Sequence, residues 1–350
     1  MTRRVTFAVP GELTTPTGGF TYDRRIITEL RALNWQVEVL DLGDGFPRPG
    51  ADAMASARKQ LSALPEGSPI VIDGLAFGAL PDVATALRAS HHLIALVHHP
   101  LALETGLSPQ EVETLHTSEC RALASARRVI VTSASTARVI VSDYKVPAGR
   151  VAVVRPGNDR AAPSCSNDAS TLSLLAVGAL VPRKGYDVLL SALATLGDLP
   201  WRLTIVGDKT RDIRTAAAIE ADVARLALDQ RVTLVGAVSD ERLAALYARA
   251  DLFVLASRFE GYGMAYTEAI AHGLPVVGTN AGAIAETVPA NAGVLVPAED
   301  AAALSDALRR VMVDAALRSR LATAARALAG DLPTWRQSAE LFSQIIAATP

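Results

Sequence analysis

Short apolar segments alternate with amphipathic segments along almost the whole chain, and this rhythm constrains the fold more than any other feature. The apolar segments are rich in aliphatic residues and do not alternate with polar ones, which indicates strands buried on both faces. In the first half they are Val5–Val9, Val37–Leu40, Ile70–Ile72, Leu93–Val97, Val129–Val131 and Val151–Val154. In the second half they are Leu172–Val177, Leu203–Val206, Val232–Val235, Leu252–Leu255 and Pro275–Val277. The pattern predicts an α/β fold with two doubly wound parallel sheets covered by helices.

The rhythm stops once, between Arg155 and Thr171, where a polar, turn-rich stretch replaces it. A chain of 350 residues exceeds what one hydrophobic core usually organises, so we place a domain boundary there. The predicted domains are 1–160 and 161–330, both Rossmann-like, followed by a helical segment at 331–350. Ligands in such sheets bind beyond the carboxyl ends of the strands, so two facing sheets would define a central cleft.

Three helices are predicted from amphipathic stretches around these strands. One runs through Arg24 to Leu33, a long one covers about Ala301 to Leu328, and one covers about Pro333 to Ala347. The helix predicted at about Pro333 to Ala347 lies beyond the predicted end of the second domain, near residue 330.

Composition excludes several functions. The 34 Lys and Arg residues nearly balance the 36 Asp and Glu residues, so nucleic acid is not an expected partner. The sequence has only two cysteines, Cys120 and Cys165, which lie 45 residues apart, so neither a zinc site nor a disulfide framework is expected. The N-terminus lacks the apolar core of a signal peptide, and no apolar run is long enough to span a bilayer. These features predict a cytoplasmic protein.

The block that begins at Ala256, A-S-R-F-E-G-Y-G-M-A-Y-T-E-A-I-A-H-G-L-P, contains the most informative candidate site. It follows a predicted strand, passes Gly261 and Gly263, and enters a helix that carries Glu268. Glycines at a strand-to-helix turn let a ligand approach the backbone, and the first amides of the helix would point outward. A phosphate or a sugar hydroxyl would fit there, and a simple turn without a ligand is the alternative.

Other candidates also follow predicted strands. Arg183 and Lys184 come shortly after Gly178 and could face a diphosphate, although an isolated basic pair is more often a solvated one. Gly207 ends the strand at 203–206, at an edge where nucleotide groups rest in doubly wound folds.

The first half offers two further candidates. Gly18 and Gly19 would present backbone amides at a helix start to an anionic or polyhydroxy ligand, with a flexible connection as the alternative. His98 follows the strand at 93–97, which would put an imidazole at the edge of the sheet.

Several familiar motifs are missing from the sequence. There is no D-x-D pair, which would hold a divalent metal against a sugar diphosphate, so the predicted site is independent of metal. There is no P-loop, no complete dinucleotide-binding fingerprint and no nucleophile elbow.

Together these blocks resemble the retaining glycosyltransferases of family 4, also called group 1, which have the GT-B fold. Glu260 and Glu268 lie in E-G-Y-G-M-A-Y-T-E-A-I-A-H-G-L-P-V-V, which is similar to the E-x7-E signature of that family. The blocks A-G-A-I-A-E-T-V (Ala281–Val288) and G-V-L-V-P (Gly293–Pro297) follow in the family's order. The resemblance extends over nearly the full length. It implies an acceptor-side first domain, a nucleotide-sugar-binding second domain and a terminal helix that crosses back to the first.

The resemblance also implies roles for individual residues. Glu260 would lie near the donor sugar, Lys184 would neutralise the diphosphate and His98 would lie near the reacting carbon, so these three are the predicted catalytic residues. Glu268 would hydrogen-bond the ribose hydroxyls. The predicted donor-binding residues are Gly18, Gly19, Arg183, Lys184, Gly207, Val235, Gly236, Glu260, Gly261, Tyr262, Gly263, Met264, Ala265 and Glu268. The family usually has an arginine directly after the glycine at 178, where this chain has Ala179, and Arg183 is the candidate replacement.

The predicted activity is that of a retaining hexosyltransferase that needs neither metal nor cofactor. It would move a sugar from a nucleoside-diphosphate sugar to a hydroxyl acceptor. The base, the sugar, the acceptor and the oligomeric state stay open, as does peripheral contact with the inner face of a membrane. Two alternatives remain: a sugar-nucleotide epimerase or hydrolase of the same fold, and a non-catalytic protein that binds sugar nucleotides.

Overall fold

The computed structural model describes residues 3–161, residue 164 and residues 171–349. The chain forms two compact units, one of residues 1–157 with 333–350 and one of residues 158–332. Cys165 and the centre of the predicted linker lie outside the described residues. No helix within the described ranges is long and apolar enough to cross a membrane.

The first unit is built on a six-stranded parallel sheet in the order β2-β1-β3-β4-β5-β6. Its strands are β1 (Arg3–Val9), β2 (Trp35–Asp41), β3 (Pro69–Asp73), β4 (His92–Val97), β5 (Arg128–Val131) and β6 (Val151–Val153). Its helices include α1 (Gly18–Ala32), α2 (Ala51–Ser62), α3 (Gly74–Phe77), α4 (Pro81–Leu87), α5 (Pro109–Ala124) and α6 (Ala134–Ser142). The strand order reverses between β1 and β3, so the segments that follow β1, β3 and β4 come together at one edge of the sheet.

The second unit has a six-stranded parallel sheet in the order β12-β11-β10-β7-β8-β9. Its strands are β7 (Leu172–Val177), β8 (Trp201–Val206), β9 (Val232–Gly236), β10 (Leu252–Leu255), β11 (Val276–Thr279) and β12 (Gly293–Val296). Its helices are α7 (Tyr186–Ala194), α8 (Ile213–Arg225), α9 (Asp240–Arg249), α10 (Met264–Ala271), α11 (Ile284–Thr287), α12 (Ala301–Val313) and α13 (Ala315–Ala329). Here the order reverses between β7 and β10, which are neighbours in the sheet.

The last helix, α14 (Trp335–Ala347), packs in the first unit rather than in the second. The indole nitrogen of Trp35 donates to Ser343 Oγ at 2.9 Å, and the ring of Phe342 stacks on Phe7 with centroids 5.7 Å apart. A β-carbon at Gly157 would lie 2.2 Å from the backbone nitrogen of Trp335, so only glycine lets the two segments approach. The C-terminal segment is therefore part of the first hydrophobic core.

The prediction of two doubly wound parallel sheets is confirmed, and every predicted strand is present. Two predicted helices had wrong bounds. The helix predicted from Arg24 begins at Gly18, because the Thr17 side chain caps it by accepting from the Phe20 amide. The single helix predicted over 301–328 is two helices, because Asp314 ends α12 and its side chain caps α13. The strand β12 was identified only as part of a motif.

Gly207 directly follows β8 and shows how tightly the strand ends pack. A β-carbon there would lie 1.8 Å from the carbonyl oxygen of Gly178, so we expect Gly207→Ala to destabilise the protein by about 3 kcal/mol. At Gly197 a β-carbon would meet no atom within 4 Å, and Gly197→Ala should change stability by less than about 0.5 kcal/mol. Urea unfolding of the two variants measures these stability changes. Equal unfolding midpoints would show that a side chain at residue 207 fits as well as one at residue 197.

Candidate functional site

The carboxyl ends of β7 and β10 lie side by side where the strand order of the second sheet reverses. In open parallel sheets this is the place where ligands bind. Arg183 and Lys184 lie in a short 3₁₀ turn (Pro182–Lys184) after β7, whereas Ser257 and Glu260 lie in the loop after β10. The fold therefore brings two predicted cations and one predicted carboxylate to the same point.

Glu260 is the centre of this cluster. Its Oε1 accepts from Lys184 Nζ at 2.6 Å and from Ser257 Oγ at 2.7 Å, and its Oε2 accepts from Arg183 Nη1 at 3.0 Å. The Glu260 side chain is only 7% exposed. Burial opposes its ionisation, but the charges of Lys184 and Arg183 outweigh burial and lower the pKa of Glu260 to about 2. Glu260 is thus a fixed negative charge at neutral pH and cannot serve there as a proton donor.

The turn that carries Glu260 is held by its backbone. The carbonyl oxygen of Glu260 accepts from the Ala283 amide at 2.9 Å, and a β-carbon at Gly282 would lie 2.3 Å from that oxygen. Gly263 adopts the left-handed conformation, with φ of 91°, directly before α10 begins at Met264.

The remaining predicted residues of this turn surround the helix start. Gly261 and Tyr262 are buried, and Met264 and Ala265 open the first turn of α10. The first amides of a helix have no carbonyl partner within it, so this end of α10 can donate hydrogen bonds to an anion.

Glu268 lies on α10 and belongs to a second network. Tyr247 Oη donates to Glu268 Oε2 at 2.9 Å, and the Tyr247 ring stacks on His272 with centroids 5.0 Å apart. Burial raises the pKa of Glu268 although the Tyr247 hydrogen bond opposes this, and the charge of Asp240 raises it further. The charge of Lys184 acts to lower the pKa of both glutamates.

Three glycines line the strand ends beside this cluster. The Gly178 amide donates to the Val206 carbonyl at 2.8 Å, and the Gly207 amide donates to the Gly236 carbonyl at 3.0 Å. A β-carbon at Gly178 would lie 2.9 Å from Lys184 Cε, so the glycine leaves room for the lysine side chain. Val235, partly buried, precedes Gly236 at the end of β9. The predicted residues of the second unit thus follow one edge of its sheet.

The first unit holds a separate group at the corresponding edge of its own sheet. His98 directly follows β4, and its Nε2 lies 3.0 Å from Asp23 Oδ1 and 3.5 Å from Asp73 Oδ2. Gly18 and Gly19 open α1, and a β-carbon at Gly19 would lie 3.2 Å from His98 Cδ2. The predicted imidazole and the predicted glycines are therefore neighbours.

Asp23, Asp73, Tyr247 and Ser257 are residues that the sequence reasoning missed. Asp23 lies one helical turn after Gly19, and Asp73 ends a buried strand, so a carboxylate at a strand end was the signal available for Asp73. Both aspartates are almost completely buried. Burial and the charge of Asp23 raise the pKa of Asp73 to about 7, although the charge of His98 opposes this.

In the described part of the chain, Asp23, Asp73 and His98 are the one set of three possible ligand side chains with atoms within 4.8 Å of one another. The Nε2 to Oδ1 distance of 3.0 Å is that of a hydrogen bond, which requires a proton between these atoms. Independence of metal stays a prediction for both groups.

Solved structures identify the architecture. Sucrose-phosphate synthase from Thermosynechococcus elongatus superposes with a TM-score of 0.83 and 23% identity over 99% of this chain and 100% of that one. Anabaena Alr3699/HepE in complex with UDP-glucose superposes with a TM-score of 0.78 and 17% identity over 99% of each chain. The fold is therefore GT-B.

Sequence comparison identifies the family. Residues 166–328 match the family described as glycosyl transferases group 1. D-inositol 3-phosphate glycosyltransferase from Pseudarthrobacter chlorophenolicus is 31% identical over 71% of this chain and 62% of its own length. Mannosylfructose-phosphate synthase from Agrobacterium fabrum is 31% identical over 43% of this chain and 37% of its own length. The chain thus spans less than two thirds of these curated relatives, and its residues 166–328 match the group 1 glycosyltransferase family.

Proposed function

We propose that this chain is a retaining, metal-independent hexosyltransferase that moves a sugar from a nucleoside-diphosphate sugar to a hydroxyl acceptor. The observation that carries the proposal is the convergence of Lys184 and Arg183 on Glu260, at the strand-order reversal and beside the start of α10. The names of the relatives, which are glycosyltransferases and a sugar-phosphate synthase, support the reaction class. The UDP-glucose bound to the Anabaena protein supports the donor class.

The chemistry requires charge to be stabilised at two places. When the bond between the anomeric carbon and the nucleoside diphosphate breaks, negative charge develops on the phosphate and positive charge on the sugar. Lys184, Arg183 and the first amides of α10 would stabilise the leaving phosphate. Glu260, ionised at neutral pH, would hold the two cations in position and stabilise the positive sugar.

Retention of configuration is proposed to proceed by attack from the face that the diphosphate leaves. Both carboxylate oxygens of Glu260 are engaged by Lys184, Ser257 and Arg183. Glu260 would have to leave these partners to form a covalent bond to the sugar. The contacts therefore favour an electrostatic role over a nucleophilic one.

Arg183 is proposed to replace the arginine that the family usually has at the position of Ala179. Arg183 Nη1 donates both to Glu260 Oε2 at 3.0 Å and to the Phe259 carbonyl at 2.8 Å, so this nitrogen of the guanidinium is fixed on the loop after β10. A cation held in this way can serve a diphosphate without further ordering of its side chain.

Glu268 is proposed to bind the ribose. Because Tyr247 donates to Oε2, the carboxylate is oriented and Oε1 is the oxygen that would accept from a ribose hydroxyl.

A thermal-shift comparison of UDP, GDP and ADP tests the donor site. One of them should stabilise the protein by about 2.7 kcal/mol at a hundredfold excess over its Kd, and the effect should persist with EDTA. The matching nucleoside monophosphate should stabilise it less, because it brings less charge to Lys184 and Arg183. No stabilisation by any of the three diphosphates would contradict the proposal.

Product analysis then separates the alternatives. A transferase consumes the donor only when an acceptor is present, and the anomeric proton of the product reports retention. An epimerase or hydrolase consumes the donor alone, and a non-catalytic protein binds the nucleotide without turnover.

A further inference from the structure

In the first unit, the side chains of Asp23 and Asp73 both lie close to the same ring nitrogen of His98. Asp23 reaches His98 Nε2 from α1, at 3.0 Å, and Asp73 reaches it from the end of β3, at 3.5 Å. The side chains of Asp23 and Asp73 are 1% and 2% exposed, whereas His98 keeps 19% exposure. The imidazole is therefore held at Nε2 by two buried carboxyl groups, while part of the His98 side chain remains exposed.

The charges of this cluster constrain its protonation. Among the ion pairs of the described residues, Asp23 and Asp73 pair only with His98. A neutral imidazole would leave the buried Asp23 carboxylate, and Asp73 whenever it is ionised, without a compensating charge, which is a costly arrangement in a protein interior. A protonated imidazole removes most of this cost, because its positive charge lies within reach of both.

We propose that Asp23 and Asp73 are positioning residues that hold His98 as an imidazolium through Nε2, so that His98 acts through Nδ1 as a hydrogen-bond donor and not as a proton acceptor. The protonation of His98 is independent of the proposed sugar transfer. The identity of the atom that accepts the hydrogen bond from Nδ1 rests on that proposed function. It would be an oxygen of the donor or of the attacking hydroxyl.

The surroundings of the ring support this assignment. Burial alone would lower the pKa of His98, but the Asp23 and Asp73 carboxylates more than offset burial and raise it. The neighbouring Tyr22 ring contacts His98 edge-on at 5.1 Å, and its hydroxyl donates to the Val154 carbonyl. Tyr22 itself stays neutral, because burial raises its pKa. The aspartates are therefore the charges that decide the state of the imidazole.

The role of Asp73 follows from its second contact. Its Oδ1 accepts from the Leu75 amide at 2.7 Å and caps the short helix α3, which fixes the carboxyl group in place. Its Oδ2 is then directed at His98, beside Asp23. Because burial and Asp23 raise the pKa of Asp73, it can carry a shared proton near neutral pH while Asp23 remains the main partner of Nε2.

Nuclear magnetic resonance of the full chain, labelled with nitrogen-15 in histidine, tests the proposal directly. Two-bond proton–nitrogen spectra distinguish an imidazolium from either neutral tautomer. We expect His98 in the wild-type chain to titrate above the range of free histidine, and Asp23→Asn to bring its midpoint down to that range or below it. His92, whose pKa is lowered by burial, is an internal reference that should not move. Asp82→Asn, at an exposed ion pair with Arg121, is the matched control.

The outcomes are decisive in either direction. A neutral His98 at pH 7 in the wild-type chain overturns the proposal, as does an unchanged His98 titration in Asp23→Asn. A stoichiometric metal ion in the purified wild-type protein that Asp23→Asn loses also overturns it, because the metal would replace the Nε2 proton. The wild-type titration decides the question even if a variant does not fold.

Activity measurements test the role of Nδ1 once transfer has been detected. Glutamine can donate a hydrogen bond but cannot accept a proton, so His98→Gln should retain more turnover than His98→Ala if the ring is a donor. Equal loss in both variants would contradict the role of His98 as a hydrogen-bond donor. Asp23→Asn should lower kcat about tenfold to a hundredfold through misplacement of the ring. If no transfer is found with any donor, the proposed function is contradicted, but the resonance experiment still tests the protonation state of His98.

Discussion

Lys184→Ala is expected to lower turnover of the matched nucleoside-diphosphate sugar by about a hundredfold to a thousandfold, the usual loss for one preorganised donor to a developing charge. Lys184 is 13% exposed and lies 2.6 Å from Glu260, in a turn fixed by the packing of Gly178 against its side chain. A cation held in this way stabilises charge in the transition state without reorganisation. Steady-state kinetics with saturating acceptor measure the effect.

The control for this variant is another lysine of the second unit. Lys209 forms an exposed ion pair with Glu220 at 3.0 Å, so Lys209→Ala should leave turnover within about twofold of the wild type. Circular dichroism should show both variants folded, because Arg183 and Ser257 still engage Glu260 when Lys184 is removed. A folded Lys184→Ala protein with unchanged kcat would remove Lys184 from the proposed mechanism.

Much of the fold could be predicted because burial and local sequence agree. The central strands are short apolar runs with almost no exposure, for example Leu93–Val97 and Leu252–Leu255, and their length and composition favour a buried strand. The predicted helix bounds were wrong where a single capping side chain determines them. Thr17 and Asp314 cap helices, and a capping residue looks like any other polar residue until its amide partner is known. The strand β12 is short and half-buried, so its pattern is weak.

The candidate site could be predicted only where residues belong to a contiguous motif. Glu260 and Lys184 were found from blocks that follow strands, but their direct contact required the pairing of β7 with β10. Asp23 and Asp73 could not be assigned to His98, because α1, β3 and β4 meet only through the sheet. Contacts between residues that are far apart in the sequence cannot be inferred until the order of the strands in the sheet is known.

Glu260→Gln is expected to destabilise the protein by about 3 kcal/mol, the lower end of the cost of removing one partner from a buried ion pair. The low end applies because Lys184 and Arg183 keep 13% and 20% exposure and regain some hydration. The ionised Glu260 stabilises the wild type above its ordinary pKa of 4.5, and this contribution is lost as the pH falls toward about 2. The difference in unfolding free energy between the two proteins should therefore be constant above about pH 5.5 and shrink below pH 4.5.

The same variant should bind the nucleoside diphosphate more tightly while losing sugar transfer. In the wild type the diphosphate must share Lys184 and Arg183 with Glu260, whereas in Glu260→Gln their positive charge is no longer balanced by that carboxylate. A tenfold gain in affinity corresponds to about 1.4 kcal/mol, which calorimetry and thermal shifts resolve. Glu299→Gln is the matched control, because Glu299 also pairs with an arginine, Arg258, but is 59% exposed, and it should alter neither stability nor binding. Weaker diphosphate binding by Glu260→Gln would contradict this prediction, because it would show that Glu260 aids the nucleotide by holding Lys184 and Arg183 in position more than it competes for their charge.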